Sequence, residues 1–123
     1  MKRRHFLGAA GLVLLSRPSG AQTFPDRPIR FIVPYAPGGS TDTSARIVSE
    51  KLSVLLGQPV IVENKPGGGT IIGTEIVAKA KPDGHTILLT PAALIANAAF
   101  GVTVPYDIDK DLIPVLGLSL IHI

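Results

Sequence analysis

Two glycine-rich turns hold the residues whose types and spacing fit a definite chemistry, the capture of an anion. The first is Pro37-Gly38-Gly39-Ser40, followed by Thr41 and Asp42; the second is Pro66-Gly67-Gly68-Gly69, followed by Thr70 and then Thr74. Glycine lets a backbone approach a bound group closely. A turn that opens into a helix also presents N–H groups with no intrahelical acceptor, at the positive end of the helix dipole. The loops 35–42 and 65–74 both have that form, and Ser40, Thr41, Thr70 and Thr74 add hydroxyls. Glycines also serve plain tight turns, so one such loop decides little, whereas two on one edge of a sheet decide more.

Other chemistries find less support. Neither loop reads G-x-x-x-x-G-K-[ST], and Gly67-Gly68-Gly69 with Gly73 does not give G-x-G-x-x-G, so nucleotide motifs fail. Ser40 lacks a G-x-S-x-G elbow and has no histidine and acid to pair with. Asp42 and Glu63 invite an acid–base reading, but Asp42 suits the start of a helix better. His5 falls in a leader, His85 follows a turn as a solvated or partly packed residue, and His122 lies beside the terminus. There is no cysteine, which excludes disulfides, thiolate metal sites and cysteine nucleophiles. The expectation is a binding protein with no catalytic residue, no metal and no cofactor.

The elements that must position the two loops alternate. Pro28-Ile29-Arg30-Phe31-Ile32-Val33-Pro34 is a short β-branched and aromatic run, a buried strand. Past the first loop, Ala45, Val48, Leu52, Leu55 and Leu56 follow one face of a helix, with Ser40 or Thr41 as its cap and Gly57 as its close. Pro59-Val60-Ile61-Val62-Glu63 is a second strand. Thr70 is placed to cap a second helix carrying Ile72, Ile76, Val77 and Ala80, with Lys79 and Lys81 near its end. After the turn Pro82-Asp83-Gly84, Thr86-Ile87-Leu88-Leu89-Thr90 is a third strand. An Ala-rich helix then runs from Pro91 to about Phe100, capped by Thr90. Strands separated by helices predict right-handed βαβ crossovers and a parallel sheet, an α/β fold. Fully apolar strands agree, since helices cover both faces of such a sheet.

The N-terminus reads as an address. Lys2, Arg3 and Arg4 precede an apolar stretch from Phe6 to Leu15, and Ser19-Gly20-Ala21 offers small residues to a signal peptidase. Ten apolar residues cannot span hydrocarbon that needs roughly 20 in a helix. Residues 1–21 are therefore expected to be a signal peptide cleaved near Ala21-Gln22, with export to the periplasm. Arg3-Arg4-His5-Phe6-Leu7 also resembles the twin-arginine pattern, although Lys2 departs from it, so both export routes stay open. The whole chain carries a net charge of +3, but Lys2, Arg3, Arg4 and Arg17 lie in the leader. Without them eight Lys and Arg face nine Asp and Glu, a net charge of −1. The basic balance thus belongs to the leader, and a nucleic-acid partner is not expected.

Pro34-Tyr35-Ala36-Pro37-Gly38-Gly39-Ser40-Thr41-Asp42 resembles the first binding loop of the substrate-binding proteins of tripartite tricarboxylate transporters, also called Bug receptors. Three more runs resemble the family in order: Val62–Gly69, Ala80–Leu88, and Pro105-Tyr106-Asp107 with Lys110–Val115. The resemblance covers about Pro25 to Gly117. It implies a type II periplasmic-binding-protein lobe, one of two that close on a ligand at a hinge. It also implies a small carboxylate ligand (a di- or tricarboxylate, an amino acid or an aromatic acid), membrane permease subunits as partners, and a monomer at full length. Carried over by position, the contacts fall on Tyr35, Pro37, Gly38, Gly39, Ser40, Thr41 and Asp42, on Gly68, Gly69 and Thr70, and on Thr90. One carboxylate would be held largely by backbone N–H groups and bridging water. The family's proteins are longer, so the second lobe is expected to be absent and residues 22–123 to be a truncated N-terminal part. Leu120-Ile121-His122-Ile123 departs from the family's continuing strand and reads as foreign. The second loop departs too, since the family alternates glycine with a small residue there. A sensor of the same fold that feeds a signalling kinase, and an exported α/β enzyme, are the alternatives.

Overall fold

A computed structural model describes residues 23–118. The leader expected at 1–21 and the foreign ending at 120–123 lie outside the described residues. The elements run β1 (Ile29–Val33), α1 (Ser40–Leu56), β2 (Val60–Asn64), a 3-10 turn (Gly68–Thr70), α2 (Ile71–Ala78), β3 (Thr86–Leu88), α3 (Ala93–Ala99) and α4 (Ile108–Asp111). The three strands form one parallel sheet in the order β2-β1-β3, with Ile29 opposite Val60 and Arg30 opposite Thr86.

That order explains the layers. Parallel connections are right-handed, and here they leave β1 in one direction and return to its other side. The helices therefore fall on opposite faces: α1 packs on β1 and β2, and α2 on β1 and β3. Phe31 and Val33 point to the α1 face, where Ala45 is buried and Val48, Leu52 and Leu56 pack around it. Ile32 lies between them in sequence, so it points to the α2 face, where it is fully buried. Each such side chain contributes about 1.5–3 kcal/mol of burial.

Several local expectations need correction. Leu55 does not join the core face of α1; it is 79% exposed. The core face instead includes Ser49, one turn beyond Ala45 and buried, whose hydroxyl donates to the Arg46 carbonyl (2.9 Å). A polar residue fits that seam because the helix's own carbonyl satisfies it. Neither Ser40 nor Thr41 caps α1: Gly39 is the N-cap, with no side-chain bond. Thr90 does not cap the Ala-rich helix, which starts at Ala93 rather than Pro91; its hydroxyl donates to the Pro91 carbonyl (3.3 Å). Ala80 lies beyond the end of α2.

One face stays open. Phe31, Val77, Leu89 and Leu94, with Ile113 and Leu116 of the segment after α4, line a largely apolar groove of about 740 Å³. Ile113, Val115 and Leu116 are themselves exposed, and among the described residues β3 pairs on one edge only. Apolar grooves and unpaired strand edges promote association. Residues 22–123 produced alone are therefore expected to melt over a broad range and to bind a hydrophobic dye in the native baseline. A sharp two-state melt without dye binding would contradict this.

Candidate functional site

The parallel register puts the carboxyl ends of all three strands on one edge, so the loops leaving β1 and β2 are neighbours. The strand ladder continues into them: Lys65 N–H donates to the Val33 carbonyl (2.8 Å) and Leu89 N–H to the Ile32 carbonyl (3.0 Å). In the first loop Tyr35 is half-buried, while Pro37, Gly38, Gly39 and Ser40 are exposed. Gly38 has φ +90, a conformation that strains any residue with a side chain, whereas Gly39 has an ordinary φ of −79. Among the described residues, the first-turn N–H groups of α1 at Ser40, Thr41 and Asp42 receive no side-chain cap, which leaves them to water or a ligand.

Asp42 is the centre of this loop. It is 3% exposed, yet its carboxylate accepts from three elements. Oδ2 accepts from Gly38 N–H (2.9 Å) and from Arg46 Nε (3.0 Å); Oδ1 accepts from Asn64 Nδ2 (2.9 Å). Asn64, the last residue of β2, also donates to the Tyr35 carbonyl (3.1 Å) and accepts from Arg46 Nη2 (3.3 Å). The Arg46 guanidinium, with the Gly38 N–H and the Asn64 amide, holds the Asp42 carboxyl down at about 2. Glu63 is engaged separately, by Arg30 (2.7 and 2.9 Å) and by Lys65 (3.6 Å), and Arg30 holds it below the usual range. The two carboxylates thus belong to different ion pairs.

A pH dependence follows from Asp42. Its carboxyl lies near 3.8 when unfolded and about 2 when folded. The stability that it contributes is therefore fully present above about pH 4 and is lost as pH falls through about 2. In the intact protein, the difference in melting temperature between the parent and Asp42→Asn should be constant from pH 7 to 5 and shrink below 4. A difference that instead shrinks between pH 7 and 5 would rule this out.

The second loop is a left-handed turn. Gly67, Gly68 and Gly69 have φ of 128, 59 and 62, and Thr70 follows at φ 84. Thr70 therefore does not cap α2 as expected, since a cap needs extended backbone and Thr70 has none to offer. Its hydroxyl is turned inward and, like that of the fully buried Thr74, has no partner among the described residues. Gly68 and Gly69 remain exposed. The Gly69 carbonyl accepts from Asn97 Nδ2 of α3 (2.9 Å), which ties this loop to the element that follows Thr90.

The structure thus gathers the first-loop residues and Gly68–Thr70 on one edge, with Thr90 two residues past the end of the neighbouring strand β3. Three participants were missed from sequence. The Asp42–Arg46 spacing of four was a readable signal for a helical ion pair; for Asn64 and Asn97 there was none. His85 sits at the opposite edge, ahead of β3, packed edge-on against Phe24 (4.9 Å) between Asp26 (3.1 Å) and Asp83 (3.3 Å).

A parallel α/β lobe with two glycine loops at helix starts is an architecture shared with the lobes of periplasmic binding proteins, the class of the solved structures it resembles, and comparison with known proteins gives the family. Residues 44–122 match the family described as tripartite tricarboxylate transporter family receptor, and the chain belongs to that family. It is 44% identical over 112 residues to the protein BugT of Bordetella pertussis, covering 89% of this chain and 33% of BugT. Among solved structures it resembles MatC from Rhodopseudomonas palustris with bound malate. The TM-score there is 0.66 at 39% identity, over 72% of this chain and 30% of MatC. An R. palustris protein with adipate gives a TM-score of 0.52 at 35% identity, over 53% of this chain and 22% of that one. The chain spans about a third of the length of the curated relatives it matches.

Proposed function

We propose that this chain is the loop-bearing lobe of a periplasmic receptor that captures a small carboxylate and passes it to the permease of a tripartite transporter. Residues 1–21 serve as its export signal, cleaved near Ala21-Gln22, and the ligand leaves unchanged. The observation that carries the reading is the placement of two exposed glycine turns on one sheet edge, each opening into a helix. N–H groups of Gly39, Ser40 and Thr41 meet one side of a carboxylate, and those of Gly68 and Gly69 the other. Helix-start N–H groups suit an anion without any cationic side chain. Malate and adipate, bound in two relatives, are acids of this size.

Calorimetric titration of the intact receptor with malate, adipate, citrate and acidic amino acids tests the proposal. Saturable 1:1 binding of at least one acid is expected, and its methyl ester should not bind. Equal affinity for acid and ester would overturn carboxylate recognition.

A further inference from the structure

We infer that Asp42 governs ligand affinity without touching the ligand, by setting the spacing and orientation of the two glycine loops from behind. This rests on the carboxylate reading above and goes beyond it by separating the residues that meet the ligand from the one that places them.

Three features of the carboxylate separate it from the alternatives. It is 3% exposed, and both oxygens are committed to donors within 3.0 Å, so almost none of it is offered to solvent. As a bare anion beside an anion site it would repel the ligand, but Arg46 lies against it, which neutralises the pair. It is also not a helix cap, since its partners lie outside its own first-turn N–H groups.

Those partners define the role. The bond to Gly38 N–H occupies the one first-loop donor that sits at φ +90, and it pins the peptide ahead of the Gly39, Ser40 and Thr41 N–H groups, which have no side-chain partner among the described residues. The bond to Asn64 reaches the last residue of β2, one step before the second loop, and the same Asn64 amide holds the Tyr35 carbonyl in the first loop. One buried carboxylate thus joins the first loop, α1 and the root of the second loop. A ligand gripped from two sides depends on the distance between the two sets of donors, and misplacement of about 1 Å is costly.

The experiment uses the intact receptor, with affinity for malate and adipate measured by calorimetry and backbone exchange measured by NMR without ligand. Asp42→Asn is expected to weaken every acid that the parent binds by at least tenfold, by a similar factor for each. Exchange of the Gly38 amide should rise tenfold or more while that of Ile32, at the centre of β1, stays unchanged. Adding Asn64→Ala to Asp42→Asn should weaken binding little further, because both act through one network. Should Asp42→Asn fail to fold, Asn64→Ala alone keeps the ion pair and is still expected to weaken binding severalfold. Unchanged or tighter binding in these variants overturns the inference, as does equal acceleration of Gly38 and Ile32, which would mark a purely structural residue. If the parent binds no acid, the carboxylate reading fails on its own. The Gly38 and Ile32 amides then still decide whether Asp42 holds the loop, and unchanged Gly38 exchange would sink that too.

Discussion

Replacing Gly73 with alanine is expected to cost the receptor roughly 3 kcal/mol, at the upper end of overpacking effects. Helix propensity alone argues the opposite, because alanine is favoured over glycine inside a helix by about 1 kcal/mol. The packing outweighs it. A Cβ on Gly73 would lie 2.7 Å from Pro34 Cβ, 2.9 Å from the Lys65 carbonyl oxygen and 3.0 Å from Pro34 Cα. All three atoms belong to backbone or to a rigid ring, at the ends of β1 and β2, so none can swing aside. α2 would have to lift from the sheet, carrying the second loop with it. Urea denaturation should show a lower midpoint with an unchanged slope. A midpoint equal to the parent's would mean that helix and sheet are less tightly joined than the geometry requires.

The second large effect concerns ligand affinity. The conformational demand in the first loop falls on Gly38, at φ +90, and not on Gly39. Gly38→Val places a β-branched residue where such residues rarely sit, at about 1–3 kcal/mol of backbone strain. The loop relieves that strain by turning the peptide, so affinity should fall on the order of tenfold to a hundredfold. Lys65→Ala should cost less than fivefold, since that side chain is 41% exposed and its ammonium lies 3.6 Å from Glu63, and such pairs contribute about 1 kcal/mol or less. Titration of both variants with one carboxylate ranks them. The reverse order, with a steep loss of affinity in salt, would mean recognition by a cationic side chain rather than by helix-start N–H groups.

The parts of the fold legible in the sequence were those that local chemistry dictates. Ile29–Val33 and Val60–Asn64 are strands because β-branched runs between prolines, glycines and polar turns have few other uses. The glycine turns could be read because few other residues tolerate their backbone. Periodicity was less reliable where one residue's angle decided: Leu55 and Ser49 lie on either side of the seam, and the sheet took the serine. Thr70 misled because threonine is a good cap only from extended backbone, and three left-handed glycines before it set another course. The Asn64 and Asn97 bonds join residues far apart in the chain, and an asparagine's pattern does not say which distant carbonyl it will meet.

The fastening ahead of β3, where Phe24 and Asp26 hold His85 and Arg27 holds Asp83 (2.6 Å), has a practical consequence for handling the protein. It anchors the start of the described chain at the amino ends of the strands, while the glycine loops sit at their carboxyl ends. β1 alone, with five residues, separates those poles by about 16 Å. A surface tether, fluorophore or purification tag joined ahead of Phe24 would therefore leave the loops facing away from its point of attachment.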